Sequence, residues 1–162
     1  MRRWSSSVPR RVSLRIGLVA AALTLVLDQL SKCWILESVM DPPRLIAVAP
    51  FFNIVLVWNR GVSFGLFGGE APWLLLAVAA AIIVVLLVWL TRARRRPLAL
   101  ALGLVIGGAL GNAADRMVHG AVMDFLDFHA GGIHWPAFNI ADSAITIGVA
   151  LMLLDGLFER RG

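Results

Sequence analysis

A chain of 162 residues that is 59% apolar and only 15% charged, with a mean hydropathy of +0.82, has too few polar residues to cover an ordinary soluble domain, so the bilayer is read as its solvent. The net charge of +5 and pI near 11.2 would suit a nucleic-acid binder, but the arginines cluster beside long apolar runs and not along an aromatic-studded polar face, so no nucleic-acid partner is expected. A single cysteine, Cys33, excludes an internal disulfide and any multi-cysteine metal site, and is assigned to helix packing.

The first predicted span runs from about Ile16 to Leu36, close to the roughly 20 apolar residues a helix needs to cross the hydrocarbon. Arg10-Arg11 before it and Leu30-Ser31-Lys32-Cys33 within it have the outline of a lipoprotein-type signal, but Lys32 is too large for the position before a lipidated cysteine. Asp28 and Lys32 lie one helical turn apart near the end of this span, where they can pair with each other; the simplest reading is an ion pair that seats the helix at the interface.

Residues 38–69 form the first predicted outer loop, with Pro42-Pro43, Pro50, Gly61, Gly65 and Gly68-Gly69 around a β-branched and aromatic stretch from Phe51 to Trp58. That pattern predicts short strands, too short to span and therefore resting against the membrane surface as a small extracytoplasmic sheet between the first two helices. A second span, Ala71 to Leu90, carries no charge; Arg92, Arg94, Arg95 and Arg96 follow it, and a third span runs from Leu98 to Asp115.

In the third span Gly103, Gly107 and Gly111 form a small-residue ridge that continues into Asp115, and Gly108, Asn112 and Arg116 form the ridge beside it. The glycines fit a close-packing seam between helices, but packing leaves Asn112, Asp115 and Arg116 unexplained. The second outer loop, 116–138, carries Asp124, and a fourth span, Asn139 to Phe158, opens with Asn139 as a candidate N-cap and Asp142 in its first turn. Asp155, towards the other end of that span, is assigned to snorkelling or to pairing with Arg160.

Arg2, Arg3, Arg10, Arg11, Arg15, Arg92, Arg94, Arg95, Arg96, Arg160 and Arg161, eleven of the fifteen basic residues, fall on one side of these spans, which predicts a cytoplasmic location for that side and for both termini. Most of the acidic residues lie at or beyond the opposite ends. The chain therefore reads as one all-α integral membrane domain over 1–162, with four spans and a small sheet.

Asp124 on a short loop and Asp142 on the helix after it can converge on one water. At about 4 Å and an effective dielectric near 20, two like charges repel by roughly 4 kcal/mol, about three pK units, so such a pair shares one proton at neutral pH. The ionised partner can deprotonate water while the protonated one polarises a scissile carbonyl, and the helix N-terminus favours Asp142 as the ionised member. The reading is peptide hydrolysis by an aspartate dyad.

Rival readings fit less of the sequence. His119, His129 and His134 share a loop with Asp124 and Asp127, but without a helical His-Glu-x-x-His pattern, so no metal or other cofactor is expected. A transporter would need a polar path through both halves of the membrane, whereas the polar groups sit towards one side. No Gly-x-Gly-Asp element of presenilin-like proteases is present, and Cys33 and Ser143 lack a convincing catalytic partner.

In its ordered motifs the chain resembles lipoprotein signal peptidase, or signal peptidase II. The resemblance rests on Asp28 and Lys32, on Asn59-Arg60-Gly61-Val62-Ser63-Phe64-Gly65, on Gly107 to Arg116, on Asp124-Phe125, and on Phe138-Asn139-Ile140-Ala141-Asp142. Val62 and Ser63 depart from the small residues, often alanine, usual at those positions. The resemblance implies Asp124 and Asp142 as catalytic residues, with Asn59, Gly61, Asn112, Arg116 and Asn139 binding substrate or shaping the site, and with Asp28, Lys32 and Asp115 as supporting polar residues. It also implies an enzyme of the bacterial cytoplasmic membrane, in contact with lipids, whose substrates are lipid-modified prolipoproteins cut N-terminal to the diacylglyceryl-bearing cysteine; a monomer acting at the outer face is the expectation.

Overall fold

The computed structural model describes residues 10–61 and 71–159. The arginines at positions 2, 3, 160 and 161, Glu70 and the Val62 to Gly65 part of the Asn-x-Gly block lie outside them. Four helices carry the fold: α1 Arg10–Trp34, α2 Ala71–Arg92, α3 Arg96–His119 and α4 Ile140–Glu159. All four contain stretches long and apolar enough to cross a membrane.

Two helix ends differ from the predicted spans. α1 begins six residues before Ile16 because the arginines ahead of the apolar run are good helix formers whose long stems tolerate the interface. α3 continues past Asp115 to His119, where Gly120 takes a left-handed φ of 69° and donates its N–H to the Arg116 carbonyl at 3.0 Å. Arg116 thus stands on a helix and not in a loop. At the other end of α3, Pro97 sits in the first turn, where a missing N–H costs nothing.

α3 is the hub, packed against α1, α2 and α4. Its glycines set the spacing. A methyl group on Gly103 would strike the Gly17 carbonyl of α1, one on Gly107 the Ala21 carbonyl, and one on Gly108 the Ala141 carbonyl of α4 at 2.5 Å. Backbone approaches this close are available only without a Cβ, and in lipid such packing replaces the hydrophobic effect as the force joining helices. The apolar core between the helices joins Ala21, Ile83, Leu86, Leu90, Leu102, Val105 and Ile106. Large apolar side chains such as Val19, Leu23, Val85 and Leu153 point outward, as lipid-facing residues do. Cys33 is exposed, with its thiol 3.5 Å from Glu37, and does not pack between helices.

After Trp34 the chain widens into a π-helical turn, Ile35–Val39, closed by Met40 N–H to the Ile35 carbonyl at 2.8 Å. This turn buries Ile35 and Met40 against Met123 and Phe125 and so seats a sheet on the end of α1. The sheet is antiparallel, in the order β1 Ile46–Ala49, β2 Phe52–Asn59, β3 Val122–Ala130 and β4 Ile133–His134. The first two strands match the stretch predicted between helices 1 and 2, but the other two come from the segment after α3, read from sequence as a loop. β3 carries a polar residue at both Asp124 and Asp127 and so lacks strict alternation, which hid it; pairing with β2 supplies its order.

Gly107→Ala should lower the melting temperature of the purified protein in detergent, at a cost of about 1–3 kcal/mol for forcing atoms into a filled space. Gly156→Ala, whose new methyl group meets nothing within 4 Å, should leave it unchanged, and equal melting of the two variants would contradict the close-packed seam.

Candidate active site

The sequence around residue 139 builds a helix start. Asn139 precedes α4 and its Oδ1 accepts the Asp142 N–H at 2.9 Å, while Asp142 Oδ2 accepts the Asn139 N–H at 3.2 Å. This reciprocal capping box ties Asp142 to the first turn, where the helix dipole favours negative charge. Asn112, one turn before Arg116 on α3, donates from Nδ2 to Asp142 Oδ1 at 2.8 Å.

Asp124 is held from β3. Asn139 Nδ2 donates to its Oδ1 at 2.7 Å, and Asn59 Nδ2 to its Oδ2 at 3.0 Å. The second contact depends on a β-bulge. Between Ile54, opposite Leu126, and Val57, opposite Asp124, β2 contains one more residue than β3. The extra residue switches which face later β2 side chains use, so Asn53 pairs with Asp127 on one face and Asn59 lies diagonally across from Asp124 on the other.

Asn139 also donates to Asn112 Oδ1 at 3.2 Å, so the two carboxylates are joined through a pair of amides. Asn59 Oδ1 accepts the Gly61 N–H at 2.8 Å, a local turn that places Gly61 at φ 82°. That conformation, and Leu75 Cδ1 at 2.5 Å from where a Cβ would stand, both call for glycine. Arg116 adjoins this turn, with one guanidinium nitrogen 3.7 Å from the same point. It donates from Nη1 to the Asn112 carbonyl at 3.3 Å, and its Nε finds no partner among the described residues.

Beneath the amides, Lys32 lies 2.7 Å from Asp28 and 2.8 Å from Asp115. The Asp28–Lys32 pair read from the helical spacing is therefore present, and Asp115 is its third member. Gln29, which sequence reasoning passed over, donates to Asp115 Oδ1 at 3.0 Å and to the Gly111 carbonyl at 3.3 Å. Nothing in its own sequence context marks it; only the juxtaposition of α1 and α3 does.

Each carboxylate opens onto a groove. Asp142, Ser143 and Thr146 line one of about 400 Å³ with Trp135, Phe138 and Ile147, and Asp124 lines one of about 440 Å³ with Val57 to Gly61, Pro136 and Ala137. The segment 135–138 separates them and was not singled out from sequence. Burial pushes the Asp124 carboxyl from its ordinary 3.8 up to about 6; the Asn59 bond opposes that shift, the Asp142 charge adds to it, and the Asn139 bond and the Lys32 charge oppose it.

The histidines lie elsewhere. The His119 ring lies tilted against Trp58 with centroids 5.0 Å apart, and His129 and His134 stack at 4.8 Å. Asp127 accepts from Asn53 at 2.8 Å and contacts His134 Nδ1 at 2.9 Å; the Asn53 bond first, and His134 second, hold its carboxyl below 3.8. With a folded pKa below the unfolded one, the Asp127 carboxylate contributes stability above pH 3.8 that is lost as pH falls through its lowered folded value. Asp155 pairs with Arg95 at 2.6 Å, where α3 begins beside the end of α4; Arg160, the partner expected from sequence, lies outside the described residues.

Four apolar helices thus carry at one end two carboxylates, Asp124 and Asp142, joined by amides and each lining a groove, and the family that the chain matches is one of membrane peptidases of the aspartic class. Residues 20–158 match the Peptidase A8 family, described as signal peptidase (SPase) II, and the chain belongs to that family. It is 52% identical to the lipoprotein signal peptidase of Methylorubrum extorquens (strain PA1), covering 90% of this chain and 87% of that one. It is 50% identical to the lipoprotein signal peptidase of Methylobacterium radiotolerans, covering 88% and 86%. A bacterial membrane enzyme solved by the in meso method at 1.9 Å superposes with a TM-score of 0.78 at 31% identity, covering 87% of this chain and 92% of the other. The protein is thus a bacterial multi-pass membrane protease.

Asn59→Ala removes a bond that favours the ionised carboxylate, so the Asp124 pKa should rise above about 6. A titration of the ¹³C-labelled carboxyl by NMR reads the change directly, and an unmoved or lowered value would contradict the Asn59 contact.

Proposed function

We propose that this protein removes the signal peptide from diacylglyceryl-modified prolipoproteins, cutting N-terminal to the lipidated cysteine with a water activated by Asp124 and Asp142. The observation that carries this reading is the chain of amides joining the two carboxylates, Asp124 to Asn139 to Asn112 to Asp142. The family membership and the names of its relatives supply the substrate class.

Asp142, at a helix N-terminus and accepting from a backbone N–H and an amide, is the ionised member and takes a proton from water. Asp124, raised to about 6, is the protonated member and donates to the scissile carbonyl oxygen. The resulting gem-diol collapses as Asp142 passes its proton to the departing amine and Asp124 recovers one from a hydroxyl. Arg116, whose Nε has no partner among the described residues, is suited to hold the peptide backbone or the developing oxyanion. Asn59, Gly61, Asn112 and Asn139 shape the site around the two acids.

In this reading one integrated domain, 1–162, works as a monomer among membrane lipids. Arg11, Arg15, Arg92, Arg94 and Arg96 lie towards the end of the bundle remote from the carboxylates. By the positive-inside rule that end, with both termini, is cytoplasmic, and the sheet and the site lie at the outer face of the cytoplasmic membrane. A lipid-bearing peptide can enter sideways from the outer leaflet, with water arriving from outside.

Purified Asp124→Asn and Asp142→Asn variants should each lose on the order of 10⁴-fold in kcat on a synthetic diacylglyceryl lipopeptide while remaining folded. The intact enzyme should show a bell-shaped kcat/KM profile whose alkaline limb reports loss of the proton held by Asp124, at about pH 6 in the free enzyme. Substantial turnover by either variant would remove the dyad. Depletion of the protein in its host should cause lipid-modified precursors that retain their signal peptides to accumulate, and normal maturation would overturn the substrate class.

A further inference from the structure

The triad Asp28, Lys32 and Asp115 is almost completely buried, at 0%, 5% and 4% exposure, and each carboxylate has a second partner on the backbone. Asp28 Oδ1 accepts the N–H of Ala141 at 2.9 Å, and Asp115 Oδ2 accepts the N–H of Met123 at 3.1 Å. Ala141 is the residue immediately before Asp142, and Met123 the residue immediately before Asp124. Two carboxylates on different helices, bound to one ammonium, thus each hold the backbone N–H of the residue before one reactive acid.

We propose that Lys32 is a positioning residue, which through Asp28 and Asp115 sets the separation of Asp124 and Asp142. The inference rests on the dyad reading above and adds a role for residues otherwise accounted for as helix seating. A mutual ion pair needs only Asp28 and Lys32, one turn apart on the same helix. It leaves unexplained why a second acid from α3 closes on the same ammonium, and why both acids turn their other lone pairs to the two segments that bear the reactive groups. Removing the lysine leaves two buried anions facing each other, which drives them apart and carries α4 and β3 with them.

Gly111 fits the same device. A methyl group there would stand 2.5 Å from Asp28 Oδ2, so the glycine leaves room for the carboxylate between α1 and α3. Lys32 also approaches Asn112 Oδ1 at 3.4 Å, the amide that serves Asp142. Among the described residues, the charged groups around the dyad are then Lys32 from α1, with Asp28 on the same helix, Arg60 after β2 in the Asp124 groove, Asp115 and Arg116 from α3, and Asp124 and Asp142 themselves. The cation lowers the proton affinity of Asp124.

Lys32→Met, assayed as the full-length protein on a synthetic diacylglyceryl lipopeptide, should lose about 10- to 100-fold in kcat with KM within about twofold, as expected for an Å-scale misplacement of reacting groups. Loss of the cation should also move the alkaline limb of the bell, which reports Asp124, to higher pH. A role confined to stability would lower the melting temperature and leave that limb in place.

Two neutral triple variants cover failure of Lys32→Met to fold, since a buried ion triad replaced as a whole is tolerated better than a broken one. Asp28→Asn/Lys32→Met/Asp115→Asn keeps an oxygen for each backbone N–H and should keep kcat within several-fold of the wild type. Asp28→Ala/Lys32→Met/Asp115→Ala keeps neither and should fall at least 10-fold further. Wild-type kcat and an unmoved alkaline limb in Lys32→Met, or equal kcat in the two triple variants, would overturn the proposal. Asp124→Asn and Asp142→Asn run alongside separate the cases: if they retain turnover the dyad itself fails, and if they are inactive while Lys32→Met is normal only the positioning role fails.

Discussion

Burying charge among apolar helices is affordable only if each charge meets its partners, and at the sheet-bearing end of this bundle that condition organises the fold. Lys32 joins Asp28 and Asp115 within 2.7 and 2.8 Å, Gln29 and two backbone N–H groups take further lone pairs, and the helices carrying these groups can dock in one register. A slip of α1 along α3 by one turn would part the lysine from Asp115 and leave uncompensated charge in a medium with no water to solvate it. The glycine seam permits the approach and the ionic contacts select its register.

The amides above the triad work in the same way at a higher level of the site. Asparagine can donate and accept at once, so Asn139 and Asn112 connect two acids without adding charge of their own. A lysine in the same place would neutralise the pair, and an apolar residue would leave carboxylate oxygens without donors. The result is a pair of acids in unlike surroundings, one largely buried on the sheet with its pKa raised, the other at a helix start suited to holding charge. Under the proposed hydrolysis, such asymmetry of environment lets one residue type serve as both general acid and general base.

The sheet contributes more than a cover. Its bulge lets two Asn–Asp contacts form on opposite faces of the same strand pair, one reaching Asp124 and the other tying β3 to β2 and, through His134, to the following strand. The segment from Trp135 to Phe138 then returns to α4 between the two grooves, bridged to β3 through Leu126 and Phe138. The chain path that delivers Asp142 to its helix is therefore itself a wall of the site.

Spans, the helix start at Asn139, the glycine seam and the two acids were legible in the sequence because each is a local pattern: an apolar run of sufficient length, a capping residue before it, small residues one turn apart, ionisable groups where lipid disfavours them. So was the Asp28–Lys32 pairing, since both lie on one helix. Asp115 as the third member of that pair, Gln29, the strand nature of 122–130, the bulge that turns Asn59 to Asp124, and Arg95 as the partner of Asp155 were decided only when separate elements met. Such contacts join residues far apart in the chain, and their geometry is set by helix register and strand parity, which composition and spacing do not encode.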